Sequence, residues 1–128
     1  PNKIEIRCFQ NYNEKTIKTI PQGELLLLLY DELVKRLTQA ELALGKENWP
    51  LFEASVQRGI DIINYLDQTL DKQYPISANL TQLYEYFTYE LGRVKIGRRS
   101  DPLTHVESMV RELREAFREA QKNGESGR

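Results

Sequence analysis

Apolar residues recur at intervals of three and four along four segments of this chain, and helix-breaking residues separate the segments. The segments begin after Pro21-Gln22-Gly23, near Asn48-Trp49-Pro50, around Ile76-Ser77 and after Ser100-Asp101-Pro102. This spacing places apolar side chains on one face of an α-helix, and helices joined by short loops pack antiparallel. The sequence therefore predicts an all-α fold: an antiparallel up-down-up-down four-helix bundle over residues 21–123, with an N-terminal tail over residues 1–20 and a disordered C-terminus over residues 124–128.

Each predicted helix carries one stripe of apolar residues that we expect to form the core. In chain order the stripes are Leu26, Leu29, Leu33, Leu37, Ala40 and Leu44; Phe52, Val56, Gly59, Ile63, Leu66 and Leu70; Leu80, Leu83, Phe87, Leu91 and Val94; and Leu103, Val106, Val110, Leu113, Phe117 and Ala120. At 128 residues the chain is long enough to bury one continuous core.

Several apolar residues do not fit on these stripes. Leu25 to Leu29 are five consecutive leucines, and because successive helical residues advance by about 100°, they surround the whole first helix. The off-core residues are Leu27 and Leu28 in the first helix, Ile62 and Tyr65 in the second, and Tyr86 and Tyr89 in the third. We interpret them as a surface for another chain. The alternative is a first helix flanked on two sides by the bundle and covered by its own tail.

The charge balance and the single cysteine limit the class of protein. There are 18 basic and 19 acidic residues, and a net charge of -1 provides no field that would attract nucleic acid. Cys8 has no partner for an internal disulfide, which suits a reducing compartment. The apolar run from Leu25 to Tyr30 is far shorter than a membrane span, and the N-terminus lacks the regions of a signal peptide. We therefore expect a cytoplasmic protein with no nucleic acid partner and no membrane insertion.

Residues suited to catalysis or metal binding are scarce. His105 is the only histidine, and the sequence has no Cys-x-x-Cys pair and no glycine-rich phosphate loop, so we expect no catalytic residue, no metal and no cofactor. The alternative is a helical-bundle ribonuclease, because Arg98 or Arg99 followed by His105 is similar to the Arg-x4-6-His signature of HEPN-type enzymes. Pro102 separates the arginines from the helix that carries His105, which disfavours this reading.

Several short motifs, in order and in register from Tyr12 to Phe117, resemble the FliS family of flagellin export chaperones. They are Tyr12, Ile17 and Thr19 before Gly23-Glu24-Leu25; Leu29-Tyr30-Asp31; Ile62-Ile63 and Leu66-Asp67-Gln68-Thr69-Leu70-Asp71; Asn79-Leu80 and Leu83-Tyr84-Glu85-Tyr86; and Glu112-Leu113-Arg114-Glu115-Ala116-Phe117. The chain departs from the family pattern at Pro21-Gln22, where Ser-Pro is usual, at Glu32, where glycine is usual, and at Phe117, where tryptophan is usual.

This resemblance implies a chaperone that binds the C-terminal segment of newly made flagellin, prevents its premature polymerisation and delivers it to the flagellar export apparatus. An amphipathic client segment laid into grooves between helices would use the off-core residues. The predicted partner-binding residues are therefore Tyr12, Ile17, Leu27, Leu28, Ile62, Tyr65 and Tyr86. A spare face that serves only self-association, as in a homodimer, is a further alternative.

Overall fold

The computed structural model describes residues 22–126, with side chains described from residue 23 to residue 123. This part of the chain forms four α-helices and no strand: α1 (Gln22–Gly45), α2 (Trp49–Gln68), α3 (Ile76–Gly97) and α4 (Ser100–Ser126). The predicted N-terminal tail lies outside the described residues. At the other end, α4 continues past the predicted boundary at residue 123.

The helices form a ring in chain order. Helix α1 packs against α2 and α4, and α3 packs against the same two helices from the opposite side. Short connections reverse the chain between successive helices, so the prediction of an all-α antiparallel bundle is confirmed. The buried apolar residues form one cluster, and α1 contributes Leu29, Tyr30, Leu33, Val34, Leu37, Ala40 and Ala43 to it. None of the helices in the described part of the chain is long and apolar enough to cross a membrane.

The ends of the helices follow the local sequence. Asn48 caps α2, because its side-chain oxygen accepts a hydrogen bond from the Leu51 backbone N–H at 3.3 Å, and Pro50 occupies the first turn. Helices α1 and α3 both end at a glycine, but the left-handed backbone needed to reverse the chain is taken by later residues. Glu47 has φ 55° and Arg98 has φ 54°. A residue with a Cβ atom pays roughly 1–2 kcal/mol for that conformation.

The buried arc of each helix is wider than the predicted stripe. On α1, Tyr30, Val34 and Ala43 join the core, while on α3 Tyr84 is buried and Leu83 is only partly buried. The largest error concerns α2. Ile62 was predicted to face away from the core, yet it is 1% exposed and is buried together with Ile63. The prediction was wrong because α2 contacts both α1 and α3, so two neighbouring arcs of its surface are covered and not one.

Candidate partner-binding surfaces

The exposed apolar residues are spread over three of the four helices. The large hydrophobic side chains with substantial exposure are Leu42, Leu51, Tyr74, Ile76, Tyr86, Tyr89 and Ile96. All of them belong to the first three helices or to the connection between α2 and α3, and none lies among the described side chains of α4. Helix α4 instead exposes charged residues such as Glu112, Glu115 and Arg118. The apolar surface available to another chain is thus confined to three helices.

One of these surfaces follows the outer face of α3. Tyr86, Tyr89 and Ile96 share this face because they are separated by three and seven residues, and they are 38%, 65% and 87% exposed. The Tyr86 ring meets the His105 ring edge-on at 6.4 Å between centroids, and the Arg93 guanidinium lies 5.9 Å from the centroid of the Tyr89 ring. The predicted exposure of Tyr86 and Tyr89 is therefore confirmed.

A second surface is the seam between α1 and α2. Leu51 at the start of α2 is exposed there. Leu42 near the end of α1 is also exposed, but it follows the buried Leu33 by nine residues and therefore lies on the side of α1 that faces away from the core. Further along the seam a polar recess of about 150 Å³ lies between the helices. The Ser55 hydroxyl donates to Gln39 Oε1 at 2.9 Å across the seam. Arg36 contributes to the same recess, and its Nη2 forms an ion pair with Glu32 at 2.8 Å.

On its other side, α1 makes a polar contact with α4. Glu107 Oε2 accepts hydrogen bonds from the Thr38 hydroxyl at 2.9 Å and from Arg111 Nη2 at 2.8 Å. The Thr104 hydroxyl donates to Glu41 Oε2 at 3.0 Å. Burial, together with a hydrogen bond to Glu107, raises the pKa of Glu41 to about 7. Burial also opposes ionisation of Glu107, but hydrogen bonds from Glu41, Arg111 and Thr38 outweigh it and lower the pKa of Glu107.

The remaining predicted site residues occupy different environments. Leu27, Leu28 and Tyr65 are partly buried, and both Leu28 and Tyr65 pack against the core. Ile62 belongs to the core, as described above. Tyr12 and Ile17 lie outside the described residues. The predicted set also omitted Leu42, Leu51 and Ile96, although a signal for them was present: each is a large aliphatic residue that falls off the predicted core stripe of its helix.

The sequence of the chain places it in a known family. A sequence model of the family described as "Flagellar protein FliS" matches residues 6–124. The chain belongs to the FliS family. A protein named "Flagellar secretion chaperone FliS" from Bacillus subtilis (strain 168) is 27% identical over 109 residues, which cover 85% of this chain and 82% of that protein. A protein of the same name from Escherichia coli (strain K12) is 26% identical over 110 residues, covering 84% of this chain and 81% of that protein.

The motifs that resemble the FliS family meet one another inside the bundle. The hydroxyl groups of Tyr30 and Tyr84 are hydrogen-bonded in the core, and burial raises the pKa of both groups. The Tyr30 ring stacks on the Phe117 ring at 5.3 Å between centroids, so Phe117 packs against the core. On the neighbouring pair of helices, the Thr81 hydroxyl donates to Asp67 Oδ1 at 2.9 Å. All of these residues except Thr81 belong to the motifs, and their contacts link all four helices.

Two residues of the ribonuclease alternative, Arg98 and His105, are engaged with different neighbours. The Arg98 guanidinium lies 4.0 Å from the centroid of the Trp49 ring, and its Nη2 is 3.8 Å from Glu53, so it is directed toward α2. His105 is exposed in the first turns of α4 and contacts Tyr86. A nuclease would need the arginine and the histidine at one shared cleft. Both FliS relatives are named as chaperones, and no cluster of potential metal ligands occurs among the described residues.

Proposed function

We propose that this FliS family chain is a cytoplasmic chaperone that binds the C-terminal segment of newly made flagellin, prevents its premature polymerisation and supports its export by the flagellar type III secretion system. Membership of the FliS family and the names of two relatives support a chaperone role in flagellar export. The observation that carries the binding role is the exposed apolar surface on the first three helices.

Ordering a client segment on the surface of the chaperone costs free energy. A disordered segment that folds on binding loses conformational entropy, so it needs an extended apolar track to offset that loss. The chaperone offers such a track on the outer face of α3, through Tyr86, Tyr89 and Ile96, and it exposes a further apolar side chain, Leu51, on the α1–α2 seam. Tyrosine suits this role because its ring buries a large area while its hydroxyl keeps a polar contact.

The partly buried residues Leu27 and Leu28 near the start of α1 and Tyr65 near the end of α2 remain proposed client contacts. Ile62 is proposed to act only from the core, by supporting the surface around Tyr65. The charged outer face of α4 is left free of the client, since it offers no large exposed apolar side chain among its described residues.

The test is a titration with a peptide that comprises the C-terminal segment of the flagellin encoded with this protein. Fluorescence anisotropy of the labelled peptide should show saturable binding to the full chain. Tyr89→Ala and Ile96→Ala should each weaken binding by about tenfold or more, because interface anchors of this kind contribute about 2 kcal/mol. Both side chains are mostly exposed, so the melting temperature should change little.

Glu112→Ala on the outer face of α4 is the matched control, and it should bind the peptide like the wild type. No saturable binding by the wild type would reject the proposed function. Normal binding by both α3 variants would reject α3 as the client surface. Analytical ultracentrifugation of the free protein examines the alternative use of the surface: a dimer that Tyr89→Ala dissociates would show that the surface serves self-association.

A further inference from the structure

The polar recess in the α1–α2 seam has the properties of a small binding site. Its volume of about 150 Å³ is far larger than the roughly 15 Å³ that a single water molecule requires. The lining residues are Arg36, Gln39, Leu51, Ala54, Ser55 and Arg58. They come from both helices, so the recess exists only because α1 and α2 are packed together.

The recess carries one uncompensated positive charge. Two of its lining residues are arginines, and no lining residue is acidic. Arg36 is neutralised by its ion pair with Glu32. Arg58 is only partly exposed, yet it forms no ion pair with any acidic side chain in the described part of the chain. An anionic partner at this position would be stabilising, because a guanidinium forms strong charge-assisted hydrogen bonds with carboxylate or phosphate oxygens.

Hydrogen-bonding capacity at the recess is also incompletely used. Arg36 is buried, its Nε has no hydrogen-bond partner, and its Nη1 is 3.4 Å from Gln39 Oε1, which is a long contact. Gln39 Oε1 also accepts the Ser55 hydroxyl, and the amide nitrogen of Gln39 is left as a donor. Unused donors next to an uncompensated charge favour an anion with acceptor oxygens.

We propose that this recess binds the side-chain carboxylate of an aspartate or glutamate in the bound client segment and thereby sets the register of the client along the α1–α2 seam. The inference rests on the proposed function. A carboxylate carries one negative charge, which matches the single positive charge that Arg58 leaves uncompensated, and its two oxygens match the fork of a guanidinium. Leu51 and Ala54 would contact the methylene groups of the same side chain.

The position of the recess favours a carboxylate inside the client segment over its terminal carboxylate. Leu51 lies at one end of the recess, and Leu28 and Tyr65 lie about two turns beyond Arg36 and Arg58 toward the other ends of their helices. A client segment that covers apolar residues at both ends must therefore pass over the recess with an internal residue.

The experiment combines variants of the chaperone with variants of the flagellin peptide. Arg58→Gln removes the charge, and Arg58→Lys retains the charge but not the planar fork. Lys35→Gln is the matched control, because it removes one positive charge from an exposed position next to Arg36 on α1. Each protein is titrated with the native peptide, with peptides in which one Asp or Glu is replaced by Asn or Gln, and with a peptide whose C-terminus is amidated.

We expect Arg58→Gln to weaken binding of the native peptide by about tenfold, Arg58→Lys by less, and Lys35→Gln by less than about twofold. One of the peptides with a replaced Asp or Glu should bind the wild type about tenfold more weakly than the native peptide does. Its affinity should not fall further with Arg58→Gln, which is the result expected when the replaced carboxylate and Arg58 are in direct contact. Thermal unfolding of each variant separates a loss of fold from a loss of binding.

Four results would overturn the inference. If Arg58→Gln binds the native peptide as tightly as the wild type does, no client carboxylate occupies the recess. The same conclusion follows if Arg58→Gln weakens the binding of every peptide by the same factor. Both results leave the proposed chaperone function intact. If the amidated peptide is the only one that loses affinity for the wild type and loses nothing further with Arg58→Gln, the recess binds the terminal carboxylate of the client and not a side chain. Failure of the wild type to bind any peptide would reject both this inference and the proposed function.

Discussion

Helix α1 has a polar cluster on each side, and the cluster around Glu107 is more completely paired than the groups around the recess. In the Glu107 cluster, on the α4 side, Glu107 accepts from Thr38 and Arg111, and Glu41 accepts from Thr104, although Arg114 Nε elsewhere on that seam is buried without a hydrogen-bond partner. At the α1–α2 seam, Arg58 has no ion pair among the described side chains, and the buried Arg36 Nε has no hydrogen-bond partner. The second seam has a recess between its polar groups that is large enough for a ligand group.

The difference separates a structural role from a binding role. A polar cluster whose members satisfy one another stabilises the orientation of two helices and has little capacity left for a ligand. A cluster with unused donors and an unpaired charge is less stabilising in the free protein, but it gains more when an anion enters. We therefore expect changes at the α1–α4 seam to affect stability and changes at the α1–α2 seam to affect binding.

The largest effect should come from neither seam but from the apolar core between them. Leu37 is fully buried on α1, and Leu37→Ala should lower the free energy of unfolding by roughly 2–5 kcal/mol because it leaves a cavity. Urea denaturation measures this loss, and Lys35→Ala, an exposed neighbour, is the control with a change below about 0.5 kcal/mol. A loss at Leu37 no larger than that of the control would mean that α1 is rotated relative to the arrangement described above.

Breaking the α1–α4 contact should have the next largest effect. Glu107→Ala leaves Thr38 and Arg111 without their shared acceptor, and we expect a loss of about 1–3 kcal/mol in the free energy of unfolding with unchanged affinity for the flagellin peptide. Arg58→Gln should lose less than about 0.5 kcal/mol of stability, since it breaks no ion pair. Urea denaturation of the two variants under identical conditions makes the comparison. The distinction between the seams fails if Arg58→Gln is the more destabilising change.

The smallest effect concerns the dependence of stability on pH. Burial raises the pKa of Glu41 from 4.5 to about 7 in the folded state, so between these values the native protein binds more protons than the unfolded chain. The contribution of Glu41 is therefore fully present below about pH 4.5 and is lost as the pH rises to about 7. The pKa of Glu107 is lowered, so its contribution to the free energy of unfolding has the opposite pH dependence and is lost only as the pH falls into a more acidic range.

Glu41→Gln should remove this dependence, and its free energy of unfolding should fall less than that of the wild type between pH 5 and pH 8. The difference should be on the order of 1 kcal/mol or less, because the Glu41 carboxyl is partly exposed and screened by solvent. Urea denaturation across this pH range measures it. Glu112→Gln, a change of the same chemistry on the exposed face of α4, should follow the wild-type curve. Parallel curves for the wild type and Glu41→Gln would refute the predicted linkage.

Much of the architecture could be predicted from local sequence signals. Asn48 and Pro50 mark the start of α2, Gly45 and Gly97 end α1 and α3, and the spacing of apolar residues predicts four helices whose observed order is the predicted one. The family could be recognised as well, because short motifs occur in the same order along nearly the whole chain. The binding surface was predicted less well, since Tyr86 is exposed as expected whereas Ile62 is buried.

The sequence by itself determined which segments are helical and how they follow one another, because caps, breakers and apolar spacing act over a few residues. Only the tertiary structure decided how far each helix is rotated about its axis. That rotation buries Ile62 between two neighbours of α2 and leaves Leu42 exposed. It also brings Ser55 to Gln39 and Thr104 to Glu41, pairs that lie 16 and 63 residues apart in the chain. Such pairings depend on the packing of whole helices, and no local pattern encodes them.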